Sequence, residues 1–307
     1  MRRRTCPLCA EDRPQPLGTL TAQAICSNTT YRADALHILN VASSTEYGFG
    51  RCRGCGFIYA LEEPDAAFLD LLYDRVIDSA RASLESQQPS WVAHQLHLAS
   101  LLLERISGRV PVRVLDYGCG YGTILRALSA PSVICTGYEI SATVAAAGRA
   151  RQLDVFSTLD EIRARGPFDG IVLSDVLEHV VDPRATLATC RELLTPNGWI
   201  CVNVPDFSEN RARSLFDAIR RGVETTREIN PWEHLNYFSP RTLAKMVESA
   251  GFKVEPYAAL SLGLRRAERP VERWGNAARS VARMLAFTAR PRVTSTTVLA
   301  ERSSSGA

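Results

Sequence analysis

The chain has no long apolar run and contains little lysine, histidine or methionine. No stretch approaches the ~18–20 consecutive apolar residues that a membrane-spanning helix needs, and no apolar stretch follows the basic start, so the sequence predicts neither a membrane span nor a secretory signal. Arginine supplies all but two of the 36 basic residues, yet the net charge is only +3, too small to indicate nucleic-acid binding by itself. We therefore expect a cytoplasmic protein.

The remaining composition is that of a globular protein. Its 307 residues are 46% hydrophobic and 22% charged, which excludes a disordered or fibrous chain. The length fits a core of about 200 residues with an appendage of under ~100. Nine cysteines, an odd number, indicate metal ligands or buried thiols rather than disulfides in a cytoplasmic protein.

Four cysteines form two Cys-x-x-Cys pairs. Cys6 and Cys9 make the first pair, and Cys52 and Cys55 make the second. Each pair can direct two thiolates at one tetrahedral ion, and four sulfur ligands favour a closed structural zinc site over a catalytic one. A redox dithiol is the alternative, but it would be expected on a strand-to-helix turn, whereas the second pair is followed by strand-like sequence.

The order of patterns along the chain predicts three regions. Residues 1–60 form a zinc-binding module, 61–110 a helical linker whose second helix is capped by Ser90, and 111–307 the main domain. In the main domain, apolar runs alternate with helical patterns, which predicts an α/β fold with a doubly wound, mostly parallel, seven-stranded sheet. We expect 205–238 and the arginine-bearing helix 263–290 to be substrate loop and lid insertions.

A glycine-rich turn between the first strand and the first helix of this domain is the most informative stretch. Gly118 and Gly120 let the backbone pass close to a ligand at the position where such sheets bind nucleotides. Glu139 ends the next strand, where its carboxylate can accept hydrogen bonds from ribose hydroxyls. Asp116, two residues before the first glycine, would repel a pyrophosphate but suits a cationic ligand. Thr123 also replaces the third glycine of the dinucleotide pattern, so the turn favours S-adenosylmethionine (SAM) over NAD.

These residues and two later stretches, 168–183 and 193–205, resemble class I, Rossmann-like SAM-dependent methyltransferases over about residues 112–258. The later stretches are similar to the fourth- and fifth-strand motifs of small-molecule O- and C-methyltransferases. The resemblance implies that SAM is the cofactor, with Ile140 against adenine. The SAM-binding residues expected on this basis are Asp116, Gly118, Cys119, Gly120, Tyr121, Glu139, Ile140, Ser157 and Ser174.

The N-terminal cysteine pairs also resemble the zinc-ribbon-like module that precedes certain sugar and natural-product methyltransferases. Residues Glu233–Ser239 resemble the Glu-His-x-x-Tyr-Phe-Ser segment of the sugar C-methyltransferases, in which the Glu-His pair is held to be catalytic. The resemblance implies His234 as the group that removes the acceptor proton, with Glu233 orienting the imidazole and Tyr237 as a possible donor. His179, after the fourth strand, is a second candidate base.

The sequence leaves several hypotheses about the function open. We favour O-methylation of a small oxygenated acceptor such as a sugar, a glycan or a secondary metabolite, in natural-product or polysaccharide biosynthesis. The alternatives are C-methylation of a keto sugar, methylation of RNA gripped by the zinc module, and a non-catalytic SAM-binding scaffold. Few aromatic residues alternate with basic ones in the module, which argues against nucleic acid as a partner. The oligomer is expected to be a monomer or a homodimer.

Overall fold

The computed structural model describes residues 2–27, 31–106, 110–128, 130–222, 229–255 and 295–303. The expected arginine-bearing helix 263–290 lies outside the described residues. Contacts group the chain into two compact units. The first unit consists of Met1–Leu84, Leu177–Thr186 and Val204–Met246, and the second of Glu85–Val176, Leu187–Asn203 and Val247–Ala307. The linear boundaries proposed above at residues 60 and 110 stay predictions.

The regular elements of the described residues are as follows. The strands are β1 (Arg2–Arg3), β2 (Pro14–Thr21), β3 (Glu46–Cys52), β4 (Ile58–Ala60), β5 (Glu62–Glu63), β6 (Val112–Tyr117), β7 (Val133–Tyr138), β8 (Val155–Phe156), β9 (Phe168–Ser174), β10 (Leu194–Pro205), β11 (Asn236–Tyr237), β12 (Phe252–Val254) and β13 (Ser295–Arg302). The helices are α1 (Ala22–Cys26), α2 (Ala35–Ile38), α3 (Ala66–Leu71), α4 (Ser79–Glu85), α5 (Pro89–Leu103), α6 (Thr123–Ala127), α7 (Ala142–Ala150), α8 (Leu159–Arg163), α9 (Pro183–Leu193), α10 (Glu209–Arg220) and α11 (Pro240–Ser249). A π-helical turn, Leu72–Val76, follows α3.

The second unit contains the predicted seven-stranded sheet. Its strand order is β12-β13-β10-β9-β6-β7-β8. The strands from β10 to β8 pair in parallel, and β12 pairs antiparallel with β13. The chain runs outward from β6 in one direction and from β9 in the other, so the order reverses between these two strands. A ligand crevice is expected outside the carboxyl ends of the strands at such a reversal.

The sheet strands form where the sequence supplies unbroken apolar runs. The side chains of Val114 in β6 and Val172 in β9 are fully buried, and they share an apolar cluster with Leu98 and Leu102 of α5. Strands buried on both faces are typical of parallel sheets covered by helices. The cap predicted at Ser90 is wrong: Gln88, two residues earlier, is the cap, and α5 begins at Pro89, because the fixed φ of proline suits a helix start.

The first unit is built on a four-stranded antiparallel sheet with the order β11-β4-β3-β2. Strands β2, β3 and β4 come from the N-terminal sixty residues. The edge strand β11 comes from far along the chain: Asn236 pairs with Tyr59, and Tyr237 pairs with Ile58. Strands β1 and β5 form a separate two-stranded sheet. A late segment of the chain therefore completes the sheet of the N-terminal module.

The segment 205–238, expected to be a substrate loop, contains a regular helix. Helix α10 has a polar face and a buried face that includes Phe216 and Ile219. Phe216 packs edge-on against Phe49 of β3, with 5.4 Å between ring centroids. The segment is therefore part of the apolar core of the first unit.

An aromatic cluster forms the centre of the first unit. Trp232 is fully buried and contacts three other rings, those of Tyr31, Tyr47 and Phe68, at centroid distances of 5.8, 5.8 and 5.7 Å. Aromatic pairs at such distances add about 0.5–1.5 kcal/mol each beyond the area they bury. The N-terminal module and the residues around 232 therefore share one core.

Among the residues that the structure describes, no helix is both long enough and apolar enough to span a membrane.

The two cysteine knuckles have the same backbone turn, but they differ at one residue. In the first knuckle, the N–H of Ala10 donates to the carbonyl of Cys6 at 2.8 Å; in the second, the N–H of Gly56 donates to Cys52 at 3.0 Å. Both residues that close the turns are left-handed, with φ of 62° at Ala10 and 80° at Gly56. Alanine resists this conformation, whereas glycine adopts it freely, so the first knuckle carries a backbone cost that the second avoids.

Substitutions at these two positions are expected to have opposite effects on stability. Ala10→Gly should raise the free energy of unfolding by about 0.5–1 kcal/mol, because glycine relieves the left-handed strain. Gly56→Ala should lower the free energy of unfolding by a similar amount. The loss comes from backbone strain and not from a steric clash, because an added Cβ meets no atom within 4 Å. Thermal melting of the metal-loaded protein tests both. Destabilisation by Ala10→Gly would contradict the assignment of strain.

Candidate functional site

The predicted glycine turn lies between β6 and α6 in the second unit and has a left-handed backbone. Gly118, Gly120 and Gly122 have φ of 79°, 51° and 73°. A Cβ on Gly118 would lie 2.5 Å from Cγ2 of Val176, whereas a Cβ on Gly120 would meet no atom within 4 Å. Gly118 is therefore needed for close packing, and the backbone at Gly120 borders open space in which a ligand can approach.

Glu139 fixes the shape of this turn. Its Oε2 accepts a hydrogen bond from the N–H of Gly120 at 2.9 Å, and its Oε1 accepts one from the N–H of Ser141 at 2.9 Å. Burial raises the pKa of this carboxyl, and the two N–H donors act against the rise. Each carboxylate oxygen retains a second lone pair that can accept a ligand hydroxyl.

Asp116 is the more unusual of the two acids. Its side chain is only 4% exposed, and no group of the described residues donates a hydrogen bond to it. Burial, and then the negative charge of Glu139, raise the pKa of Asp116 to about 7. A buried carboxylate without a donor is unfavourable unless a cation or donor joins it. The site therefore fits a ligand with ammonium and sulfonium charge such as SAM, held beside an open backbone.

The other predicted SAM-binding residues have varied environments. Ile140 is 78% exposed, which leaves an apolar side chain directly after Glu139 available to cover a flat ring. Cys119 shares a small apolar cluster with Leu125 of α6. Its N–H donates to the carbonyl of Tyr138 at 2.9 Å, and its carbonyl accepts from the N–H of Gly122 at 2.9 Å, so Cys119 helps to shape the turn. Ser174 accepts a hydrogen bond from Gln95 at 2.9 Å and donates to Asp175 at 3.1 Å.

Two further predicted positions lie on the surface of the same unit. Tyr121 is half-buried, and its carbonyl accepts a hydrogen bond from Arg126 at 2.7 Å. Ser157 is half-buried immediately before Thr158, which forms a capping box with Glu161 at the start of α8. Tyr121 is part of the glycine turn, between Gly120 and Gly122, whereas Ser157 follows the short strand β8.

The four paired cysteines converge in the first unit. Sγ of Cys6 lies 3.6 Å from that of Cys55, and Sγ of Cys9 lies 3.4 Å from that of Cys52. All four sulfurs lie within 4.8 Å of one another. Ligands 2.3 Å from a tetrahedral zinc are separated by about 3.8 Å, so this cluster has the size of a Cys₄ zinc site.

The local backbone favours a thiolate at Cys52, whereas burial raises the pKa values of Cys6 and Cys55. Burial acts to raise the pKa of Cys52, but the N–H of Cys55 and the sulfur of Cys9 outweigh it and lower the pKa to about 7. The N–H of Cys55 lies 3.4 Å from Sγ of Cys52. A thiolate is the form of cysteine that binds a metal.

The two candidate bases, His179 and His234, lie together in the first unit. Their ring centroids are 4.7 Å apart and the rings meet edge to face. Burial, and then His234, lower the pKa of His179, while the backbone of Glu233 acts in the opposite direction. His179 is therefore neutral at physiological pH, and its lowered pKa makes it a weaker base than an ordinary histidine. Tyr73 places its hydroxyl 3.4 Å from Nδ1 of His179.

Glu178 joins these histidines in a cluster that could also hold a cation. One ligand atom from each of Glu178, His179 and His234 lies within 4.8 Å of the others. The carboxylate of Glu178 is 4.0 Å from Nε2 of His179, and the residue is 2% exposed. Its carbonyl accepts hydrogen bonds from the N–H groups of Leu235 and Asn236 at 2.7 and 3.1 Å. Glu178 therefore ties its own loop to the segment that carries His234.

The other two predicted catalytic side chains have partners of a different kind. Oε1 of Glu233 accepts hydrogen bonds from Tyr31 at 2.5 Å and from Asn230 at 2.9 Å. Tyr237 is 1% exposed and packs against Phe49 and Phe207, with ring centroids 5.8 and 4.8 Å away. The phenol of Tyr237 therefore belongs to the core, and its suggested role as a donor stays a prediction.

A buried arginine, absent from the sequence-based prediction, holds both histidine-bearing loops. The guanidinium of Arg4 donates to the carbonyls of Leu235 at 2.8 Å and Val181 at 3.0 Å, and to Oδ1 of Asn236 at 3.0 Å. Glu63 lies 3.6 Å from its Nε. No sequence signal could reveal Arg4, because it is one of three consecutive arginines and the groups that accept its side-chain hydrogen bonds are more than 170 residues away.

Comparisons with known proteins agree with this architecture. A protein described as a ubiquinone biosynthesis O-methyltransferase from Xylella fastidiosa (strain M23) is 29% identical over 236 residues, which cover 69% of this chain and 91% of the relative. A protein of the same description from Thiobacillus denitrificans (strain ATCC 25259 / T1) is 26% identical over 176 residues, covering 52% and 74%.

A solved structure and a family profile complete the comparison. The plantazolicin methyltransferase BamL, in complex with a triazolic desmethylPZN analog and SAH, is similar with a TM-score of 0.51 at 14% identity, covering 72% of this chain and 90% of that one. This likeness shows the fold. The family profile described as "Methyltransferase domain" matches residues 91–257, more than half of the chain. The protein therefore belongs to the methyltransferase-domain family, and the prediction of a SAM-dependent methyltransferase is confirmed.

Proposed function

We propose that this methyltransferase transfers the methyl group of SAM to a hydroxyl oxygen of a small molecule. The pair of adjacent imidazoles at His179 and His234 carries the proposal, because a hydroxyl must lose its proton as it becomes a nucleophile. The relatives described as O-methyltransferases support the choice of oxygen as the acceptor atom. Sugars, glycans and secondary metabolites remain the acceptor classes that we favour.

The residues proposed to hold SAM lie at the glycine turn. Asp116 receives the cationic methionine portion, Glu139 accepts hydrogen bonds from ribose hydroxyls, and Ile140 covers the adenine. The missing side chain at Gly120 lets the backbone contact the ligand. SAM, when bound, supplies an electrophilic methyl carbon, whose bond to sulfur breaks as the bond to the acceptor oxygen forms.

The proton is proposed to move to His234. His179, kept neutral by burial and by its neighbour, accepts no second charge while His234 is protonated, since two imidazolium ions 4.7 Å apart would repel each other. The proton therefore stays on one ring of the pair. Glu178 lies beside the pair and favours that single positive charge.

The proposed zinc site has a structural role. Four sulfur ligands leave no open coordination position for a substrate, so the ion would stabilise the fold of the N-terminal module rather than activate the acceptor. RNA methylation and a scaffold role are the alternatives to the proposed reaction.

The acceptor can be identified directly. The protein is incubated with SAM carrying a labelled methyl group and with small-molecule extracts of the cells that produce it, and the labelled product is identified by mass spectrometry. Label on an oxygen of a small molecule is expected. Label on carbon would indicate C-methylation. Tight, salt-sensitive retention of structured RNA in a filter-binding assay would favour the hypothesis that the protein methylates RNA.

Asp116→Asn is expected to weaken SAM binding by about 10–100-fold, because it removes a charge-assisted contact to a cationic ligand. Calorimetry with SAM tests this. Asp160→Asn is the matched control, since Asp160 is an aspartate of the same unit with a side chain 95% exposed. Equal SAM affinity in Asp116→Asn and wild type would remove Asp116 from the site.

The same variant is expected to change how stability depends on pH. The pKa of Asp116 is about 7 in the folded protein, above its ordinary value of 3.8, so the folded state holds this proton more tightly than the unfolded chain. Its contribution to stability is complete below pH 4 and is lost as the pH rises through 7. Between pH 5 and pH 8, the melting temperature of ligand-free Asp116→Asn should therefore rise by about 4–10 °C relative to wild type. Parallel pH profiles would contradict the raised pKa.

His234→Ala is expected to lower turnover by about 10²–10⁴-fold while leaving SAM affinity nearly unchanged, because a general base acts on the acceptor alone. Turnover is measured with the acceptor found by labelling. His37→Ala serves as the control, since His37 is exposed on the short helix α2. Wild-type turnover in His234→Ala would exclude this residue as the base.

Elemental analysis of the purified protein is expected to find one zinc per chain. Cys6→Ser or Cys52→Ser should lose the metal and unfold the N-terminal module, because binding energy and folding energy are coupled in such sites. Cys26→Ser, outside the cluster, should retain the metal. A metal content near zero would overturn the zinc assignment. A second metal per chain that disappears in His234→Ala would place a cation, rather than a base, at Glu178, His179 and His234.

A further inference from the structure

Tyr31 forms a hydrogen-bonded network with the turn that carries His234. Its hydroxyl donates to Oε1 of Glu233 at 2.5 Å. Nδ2 of Asn230 donates to the Tyr31 oxygen at 2.7 Å and to Oε1 of Glu233 at 2.9 Å. The three side chains therefore form a closed triangle, in which both donors converge on a single carboxylate oxygen.

Tyr31 is held rigidly enough to fix that carboxylate. Its ring stacks on Trp232 with 5.8 Å between centroids and 20° between planes, and its backbone forms a bridge with Ile77. The side chain is buried, and its pKa is raised well above the ordinary value, first by burial and then by the charge of Glu233. The phenol therefore keeps its proton and remains a donor at every physiological pH.

Glu233 and Asn230 connect this network to both histidines through the backbone. The backbone of Glu233 lies close enough to the ring of His179 to act on its pKa, which it raises against the effect of burial. The carbonyl of Asn230 accepts one from the N–H of His234 at 2.6 Å. A change in the position of the Glu233 carboxylate therefore moves the peptide groups that fix the two imidazoles.

We infer that Tyr31 is a positioning residue for methyl transfer: it holds the Glu233 carboxylate, and through the 230–234 turn it sets the orientation of His179 and His234. The inference rests on the proposed role of these histidines. It extends the proposed function by making the N-terminal module part of the machinery that removes the proton. The N-terminal module would then contribute to catalysis through Tyr31, in addition to binding any metal.

A packing role alone does not account for the hydroxyl. Phenylalanine would stack on Trp232 equally well, and four phenylalanines, Phe49, Phe68, Phe207 and Phe216, already line the same cluster. A phenol at position 31 is needed only because Glu233 lies beside it. Removing this donor would leave the carboxylate with the single amide of Asn230, so the carboxylate could turn.

Tyr31→Phe tests the inference, with Tyr47→Phe as the matched control because Tyr47 is also buried and also contacts Trp232, edge-on at 5.8 Å. We expect Tyr31→Phe to lower kcat by about 10-fold or more with SAM affinity and metal content unchanged, and Tyr47→Phe to keep kcat within about twofold. The acceptor is the molecule found by methyl labelling.

A double-mutant cycle distinguishes positioning from general damage. If Tyr31 acts through Glu233, the variant with both Tyr31→Phe and Glu233→Gln should have the same kcat as Glu233→Gln alone, and the two losses in melting temperature should not add. Additive losses in kcat and in melting temperature, or wild-type kcat in Tyr31→Phe, would overturn the inference. The proposed base fails separately, by wild-type turnover in His234→Ala.

Discussion

The guanidinium of Arg4 is the interaction on which the proposed proton-accepting cluster depends. It reaches the carbonyls of Val181 and Leu235 and the amide oxygen of Asn236, and so holds in place the two loops that carry His179 and His234. Burial lowers the pKa of Arg4, and the charge of Glu63 acts in the opposite direction. A buried charge is tolerated when its donors are used in this way. Neither histidine lies within a helix or strand, so these hydrogen bonds help to fix the loops that carry them.

In the second unit, two neighbouring acidic side chains repel each other. Asp116 and Glu139 are both half- to fully buried, but only Glu139 is satisfied by backbone N–H groups. The ligand-free protein therefore stores an unfavourable interaction at Asp116, which a cation would relieve. Sites that bind charged ligands commonly hold such unfavourable groups, because the ligand supplies the missing partner.

The parts of the fold that the sequence predicts well are those whose causes are local. The apolar runs Val112–Tyr117, Val133–Tyr138 and Phe168–Ser174 form strands, because a strand buried on both faces leaves a continuous hydrophobic signal. The left-handed glycines after the first strand follow from the same local pattern. The cysteine cluster also follows from spacing alone.

The parts that the sequence does not reveal depend on contacts between distant residues. The sequence predicts a substrate loop where helix α10 lies, because charged residues dominate this segment. Its apolar face is evident only in the structure, where Phe216 packs against Phe49. Strand β11 is two residues long and exists only because β4 pairs with it. The Tyr31–Glu233 contact joins residues 202 positions apart, with no pattern in either segment. Candidate chemistry could be read from the sequence, but the groups that orient it could not.

The pairing of β11 with β4 has a consequence for how this protein could have evolved. Residues 236–237 complete the sheet that residues 14–60 begin, and Trp232 fills the core between them. If recombination exchanged only the N-terminal segment, the new segment would have to pair with the original strand β11 and pack around the original Trp232, and neither would match it. The N-terminal segment and the histidine-bearing turn are therefore expected to change together, because each supplies part of the other's sheet and core.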